Sequence, residues 1–179
     1  NKFSSDWIAG YSPTERIDRM SEVIKVVEAA EATPASILAS DCFKIDAKNF
    51  ISTADSAVYG RRFTRYLLLK LDYIYQPPEH RISLESLSVE HVLPQNPAEG
   101  SQWLKDFTEE ERNTWTDRLG NLVLITGRKN TSLGNSDFEV KKAKYFAKNI
   151  TTCPNSLRVI QMPKWTMGEL QENHRLSLD

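Results

Sequence analysis

"SVEHVLPQN" spans residues 88–96, and the reading of its Glu90-His91 pair decides how the rest of the chain is understood. Taken alone, His91 is an ordinary half-buried histidine closing a short strand, because an acidic residue followed by His carries little information. Pro94, just beyond, is compatible with the strand ending there, since proline has no N–H to offer a ladder. Successive strand side chains point to opposite faces. Glu90 and His91 therefore serve one site only if the segment bends at this point.

What lies downstream changes the weight of the pair. "TEEERNTWTDRL" opens with Thr108 and carries Glu111 three residues later, the pattern of a capped helix start. "NLVLIT" is a short β-rich run flanked by Gly120 and Gly127, and "SDFEVKKAKYFAKNI" is a helix beginning near Ser136 or Asp137 with Phe138, Tyr145 and Phe146 available for a core. From residue 84 the order is thus strand, helix, strand, loop, helix. Asn121 heads the second strand, and Asn130 follows nine residues later in the Gly- and Asn-rich loop. This is the order of a ββα-metal element. A divalent cation with hard oxygen donors needs few protein ligands when water and a substrate phosphate complete its shell. The Glu90 carboxylate and the Asn130 amide would suffice, with Asn135 a rival to Asn130 that spacing does not exclude. A neutral imidazole at His91 is suited to taking a proton from water near pH 7.

The remaining chain is helical in pattern. "YSPTERIDRMSEVIKVVEAAEAT" spaces Ile17, Met20, Ile24 and Val27 as one buried face, and "DAKNFISTADS" reads as a second, short helix. "SAVYGRRFTRYLLLKLDYIYQ" aligns Phe63, Leu67, Leu71 and Ile74 and reads as the longest and best-buried helix, with Arg61, Arg62 and Arg65 on a solvated face or, as the alternative, in contact with nucleic acid. "QPPEH" at 76–80 cannot continue a helix and marks a boundary. "TMGELQENHRLSL" repeats the capping pattern with Thr166 and Glu169, and its His174 reads as incidental. Trp103 and Trp115 read as core residues.

Bulk composition narrows the class. The 179 residues are 40% hydrophobic and 26% charged with a net charge of −1, the profile of a soluble globular protein. No apolar run approaches the length of a membrane span. Cys42 and Cys153 stand far apart without CxxC spacing, which argues against a disulfide framework or a cysteine zinc site and matches a reducing, cytoplasmic setting. The near-neutral total conceals eight acidic and two basic residues in 85–117 against six basic and two acidic in 128–148. A local basic patch of this kind can bind a polyanion. Arg128, Lys129, Lys141, Lys142 and Lys144 are the candidate phosphate contacts.

"VEHVLPQ" followed by "LGNLVLITGRKNTSLGNSDFEVKKAKY" resembles the HNH (His-Me finger) nuclease superfamily. Within it, the chain is most similar to the C-terminal nuclease domain of GmrSD-type type IV restriction enzymes, which attack modified foreign DNA. The nine-residue Asn-to-Asn interval also resembles the HNH domain of the RNA-guided CRISPR nuclease. The motif-bearing part covers about residues 86–146, and the preceding "RRFTRYLLLKLDYIY" resembles the helical portion that accompanies it. The resemblance implies His91 as general base, Glu90 as a metal ligand where other members carry Asp or His, Asn121 as a catalytic-site residue that shapes the metal loop, and Asn130 or Asn135 completing the metal site. Many HNH nucleases supply a helix histidine; this chain has none there. Full-length members also carry an N-terminal nucleotide-dependent domain whose motif is absent from these residues. A chain opening on Asn fits a fragment or a processed product.

The expectation is therefore an α+β fold, predominantly helical, with a small two-stranded ββα-metal element embedded among helices. Residues 1–80 would form a helical subdomain, 81–150 the HNH-like core and 151–179 a C-terminal extension. The function expected is a Mg²⁺- or Mn²⁺-dependent DNA endonuclease of a restriction or phage-defence system. A homodimer, or two successive events, would be needed for a double-strand break. The alternative is a non-catalytic nucleic-acid-binding or protein-interaction module that kept the fold.

Overall fold

The computed structural model describes residues 2–29, 31–76, 87–126, 134–147 and 153–179. The chain divides into two compact units, Asn1–Ala54 and Asp55–Asp179. The sequence boundary expected at residue 80 falls outside the described residues.

The first unit is helical. It comprises α1 (Lys2–Ile8), α2 (Pro13–Glu28), α3 (Pro34–Leu38), a 3-10 turn (Asp41–Phe43) and α4 (Ala47–Ala54). Ser12 starts α2 through a capping box, its N–H donating to the Glu15 carboxylate at 2.8 Å, and Pro13 fits the first turn because its missing N–H has no helical partner there. Asp6 is fully buried and holds both the Lys2 ammonium at 2.7 Å and the Arg19 guanidinium at 3.0 Å. The expected buried face of α2 is corrected. Ile17, Ile24 and Val27 are each at least half exposed, and α2 buries no residue. Periodicity defines a face but not what covers it.

The second unit contains α5 (Thr64–Tyr75), β1 (Leu87–His91), α6 (Gln102–Asp106), α7 (Glu109–Trp115), a 3-10 turn (Leu119–Asn121), β2 (Leu122–Thr126), α8 (Phe138–Ala147), α9 (Pro154–Ile160) and α10 (Met167–Leu178). The described residues are thus mostly helical with one two-stranded sheet. α5 buries Leu67, Leu68 and Leu71 as its stripe requires, but Ile74 is exposed and α2, not α5, is the longest described helix. Thr108 caps α7 as its sequence predicts, with Glu111 returning to the Thr108 N–H at 2.7 Å.

β1 and β2 pair antiparallel, with Glu90 opposite Val123 and His91 opposite Leu122. Leu122, Val123, Leu124 and Ile125 are all buried, so β2 is covered on both faces and its sequence is a continuous apolar run rather than an alternation. α5 and α9 pack against β2. The core joins Val123 and Ile125 to Val92 and Leu93 beyond β1, to Phe138 and Tyr145 of α8, and to Trp103 and Trp165. Burying each such aliphatic or aromatic side chain contributes about 1.5–3 kcal/mol. Phe146's side chain lies outside what is described.

Candidate functional site

The ladder is regular through His91, and the chain leaves it under the control of one buried amide. Asn121 is fully buried; its Oδ1 accepts from the Leu93 N–H at 2.8 Å, while its Nδ2 donates to the carbonyls of Leu93 at 2.9 Å and Thr116 at 2.8 Å. Its own carbonyl accepts from the Val92 N–H at 3.0 Å. Asn121 therefore fixes the exit from β1 immediately after His91. Both polar atoms of its side chain are spent on backbone, which fits a residue that shapes the loop rather than one that reaches into the cleft.

The turn that carries Asn121 is itself gripped by α10. The Gly120 N–H donates to His174 Nδ1 at 3.0 Å, the Gly120 carbonyl accepts from Asn173, and His174 Nε2 meets Asp55 Oδ1 at 2.8 Å. His174, read as incidental, is a buried structural residue. Gly120 is required by close approach, because a Cβ there would lie 2.4 Å from the His174 Cβ and 2.5 Å from its Cα.

His91 lies on the wall of a cleft of about 210 Å³ that Tyr59, Glu90, Pro94, Gln95 and Asn135 also line. Its Nε2 is 3.0 Å from Asp117 Oδ1. A carboxylate can only accept, so Nε2 carries the proton and a neutral ring leaves Nδ1 as a base. Burial lowers the His91 pKa below its ordinary value, with Asp117 opposing and Lys141 reinforcing the shift. The imidazole is consequently neutral around pH 7. Gln95 donates to the same Asp117 oxygen at 3.0 Å, which gives the Pro94-Gln95-Asn96 turn a role in holding the carboxylate. Asp117 was not legible in the sequence: it sits in an ordinary helix-end context 26 residues from His91.

Glu90 is buried and faces Lys141. The ammonium donates to Glu90 Oε1 at 2.7 Å and to the carbonyls of His91 at 2.7 Å and Val92 at 3.1 Å. Burial pushes the Glu90 carboxyl up and the Lys141 ammonium down, each partly restrained by the other's charge. The expected phosphate contact at Lys141 is corrected, because all three of its donors are turned inward. A signal for this exists in the sequence: Lys141 falls on the same helical stripe as Phe138 and Tyr145, both core residues. Its neighbours on α8 are also engaged. Lys142 Nζ donates to the Met162 carbonyl at 3.0 Å, and Lys144 Nζ to Ser136 Oγ at 3.0 Å.

Arg128, Lys129 and Asn130 lie outside the described residues. Asn135 is exposed at the cleft. Among the described residues no group of three or more His, Cys, Asp and Glu side chains is placed to hold a metal ion. Glu90, His91 and Asn135 all line the cleft, and a carboxylate and an amide are donors of the kind a hard divalent cation takes beside water and phosphate. Lys141 already occupies one Glu90 oxygen.

No described helix is long and apolar enough to cross a membrane. No curated protein matches the chain. The family model for GmrSD restriction endonucleases, C-terminal domain, matches residues 45–176. That span takes in α5, both strands, the Asn121 turn and the His91 cleft, and the chain belongs to this family of restriction-endonuclease domains.

Proposed function

We propose that this chain is a metal-dependent DNA endonuclease domain in which β1, β2 and α8 form an HNH-like ββα-metal element. The observation that carries the reading is His91 on the cleft wall, with Nε2 fixed by Asp117 at 3.0 Å and Nδ1 left as the basic nitrogen. His91 takes a proton from the attacking water at Nδ1. Asp117 keeps the ring in that tautomer and stabilises the imidazolium once it forms, and Gln95 holds Asp117. Glu90, with Asn135 or Asn130, would hold Mg²⁺ or Mn²⁺. When bound, such an ion polarises the scissile phosphate and stabilises the leaving oxygen. Lys141 places a fixed positive charge beneath the strand end and keeps Glu90 aimed. The wider proposal is a nuclease of a restriction or phage-defence system acting in the cytoplasm, joined in the intact enzyme to a nucleotide-dependent domain.

The test is cleavage of supercoiled plasmid with and without Mg²⁺ or Mn²⁺ by the chain and by His91→Ala and Asp117→Asn. Metal-dependent nicking lost in His91→Ala, with an unchanged circular dichroism spectrum, supports the reading. Asp117→Asn should cut more slowly, and because Asp117 raises the His91 pKa, its rise in rate with pH should move to lower pH. If no protein cuts although DNA binds equally to all three, the catalytic assignment fails and a binding module takes its place.

A further inference from the structure

Residues 57–66, "AVYGRRFTRY", hold three arginines and no acidic residue in a chain whose net charge is −1. The fold brings the start of this segment to the cleft. The N–H groups of Val58 and Tyr59 both donate to the Asp117 carbonyl, at 2.9 and 3.1 Å, and Ala57 bridges Arg118. Gly60 then turns the chain at φ +78°, a conformation that side chains with a Cβ disfavour. The turn is closed by Thr64, whose hydroxyl donates to the Val58 and Arg61 carbonyls. A rigid turn is thus anchored on the residue that orients His91.

Val58 is buried, while Tyr59, Arg61 and Arg62 reach solvent. The Tyr59 ring meets the His91 ring edge-on at 4.2 Å between centroids, yet remains 40% exposed on the cleft wall. Arg61 and Arg62 are exposed, and among the described residues neither side chain has an ion pair or a hydrogen bond. Arg65 is exposed one turn further on. By contrast, the α8 lysines are tethered or buried. An aromatic edge beside two uncommitted guanidinium groups matches the repeating chemistry of a nucleic-acid strand, with rings that stack and phosphates that accept two parallel hydrogen bonds.

We propose that the 58–62 turn is the strand-binding arm of the cleft. Tyr59 packs against the nucleotide next to the scissile phosphate, and Arg61 and Arg62 bind the flanking phosphates. This inference rests on the nuclease reading above and assigns the substrate grip to this turn rather than to the α8 lysines.

The experiment measures binding of a fluorescein-labelled DNA duplex by anisotropy in EDTA across a salt series, and plasmid cutting across DNA concentrations in Mn²⁺. The proteins are the full chain, Arg61→Ala/Arg62→Ala, Arg61→Lys/Arg62→Lys and Tyr59→Ala, each checked by thermal melting. The double alanine variant should bind about tenfold more weakly or worse, need more DNA for half-maximal cutting, and lower the slope of log affinity against log salt by about two. The lysine pair should keep that slope, and Tyr59→Ala should weaken binding without changing it. If the parent chain cuts and the double alanine variant binds and cuts identically, the arm is refuted and the nuclease reading stands. If the parent neither cuts nor binds, both fall together.

Discussion

Replacing Lys141 by Met should test whether the cation beneath β1 is structural. Met keeps most of the side-chain volume while removing the 2.7 Å ion pair to Glu90 and the hydrogen bonds to the His91 and Val92 carbonyls. Both partners are almost completely buried, so the substitution leaves a carboxylate without its counter-charge in a low-dielectric site. Breaking a buried pair from one side costs about 3–5 kcal/mol. For a domain of this size that corresponds to a loss of roughly 6–20 °C in melting temperature. The loss has a definite pH dependence. Glu90 already has a raised folded pKa, and removing Lys141 raises it further, so the native state of the variant favours the protonated acid. Its stability then falls as pH rises through the interval between the unfolded and folded values. Urea unfolding at pH 5 and pH 8 should show the larger deficit at pH 8, and Glu90→Gln/Lys141→Met should recover part of it there. A deficit below about 0.5 kcal/mol, the usual size for a solvated surface lysine, would refute the reasoning. So would a deficit equal at both pH values.

Three further outcomes are expected. Asn121→Ala strands the Leu93 N–H and the Leu93 and Thr116 carbonyls in the interior; at about 1–3 kcal/mol for each orphaned group it should be strongly destabilising by urea melt, whereas a loss under 1 kcal/mol would mean that water replaces the amide. Gly120→Ala drives a methyl into the His174 backbone and should lower the melting temperature more than Gly168→Ala, whose nearest neighbour is 4.0 Å away; equal effects would show that α10 yields easily. Burial raises the Asp72 carboxyl to about 6, above its unfolded value, so its ionisation costs stability as pH climbs from about 4 to 6. Asp72→Asn, which keeps an acceptor for the Asn155 N–H at 2.8 Å, should therefore stabilise the protein on the order of 2 kcal/mol at pH 7.5 and not at pH 4, as read by denaturation at the two pH values.

The sheet, α7 and α8 were legible because their signals are local: a capping box at Thr108, an apolar run at 122–125, and alternation broken by a proline at 94. The association of Glu90 and His91 with one cleft was legible for the same reason, since neighbours in sequence stay neighbours in space. Asp117 and His174 were not, and for Lys141 the stripe signalled burial but not its partner, because these roles arise through contacts 26, 54 and 51 residues away. Local pattern records that a lysine lies on a helix, not that a buried carboxylate waits opposite it. The stripe on α2 erred in the other direction, marking an apolar face whose residues the fold leaves half exposed.

The grip of Asn173 and His174 on Gly120 also imposes an order in time. His91 and the Asn121 turn leave the ribosome first, but the side chains that lock the turn follow 53 and 54 residues after Gly120. A nascent or prematurely terminated chain that stops before them lacks the partners that hold the Gly120 turn. The Gly120 turn is therefore complete only when synthesis has reached α10.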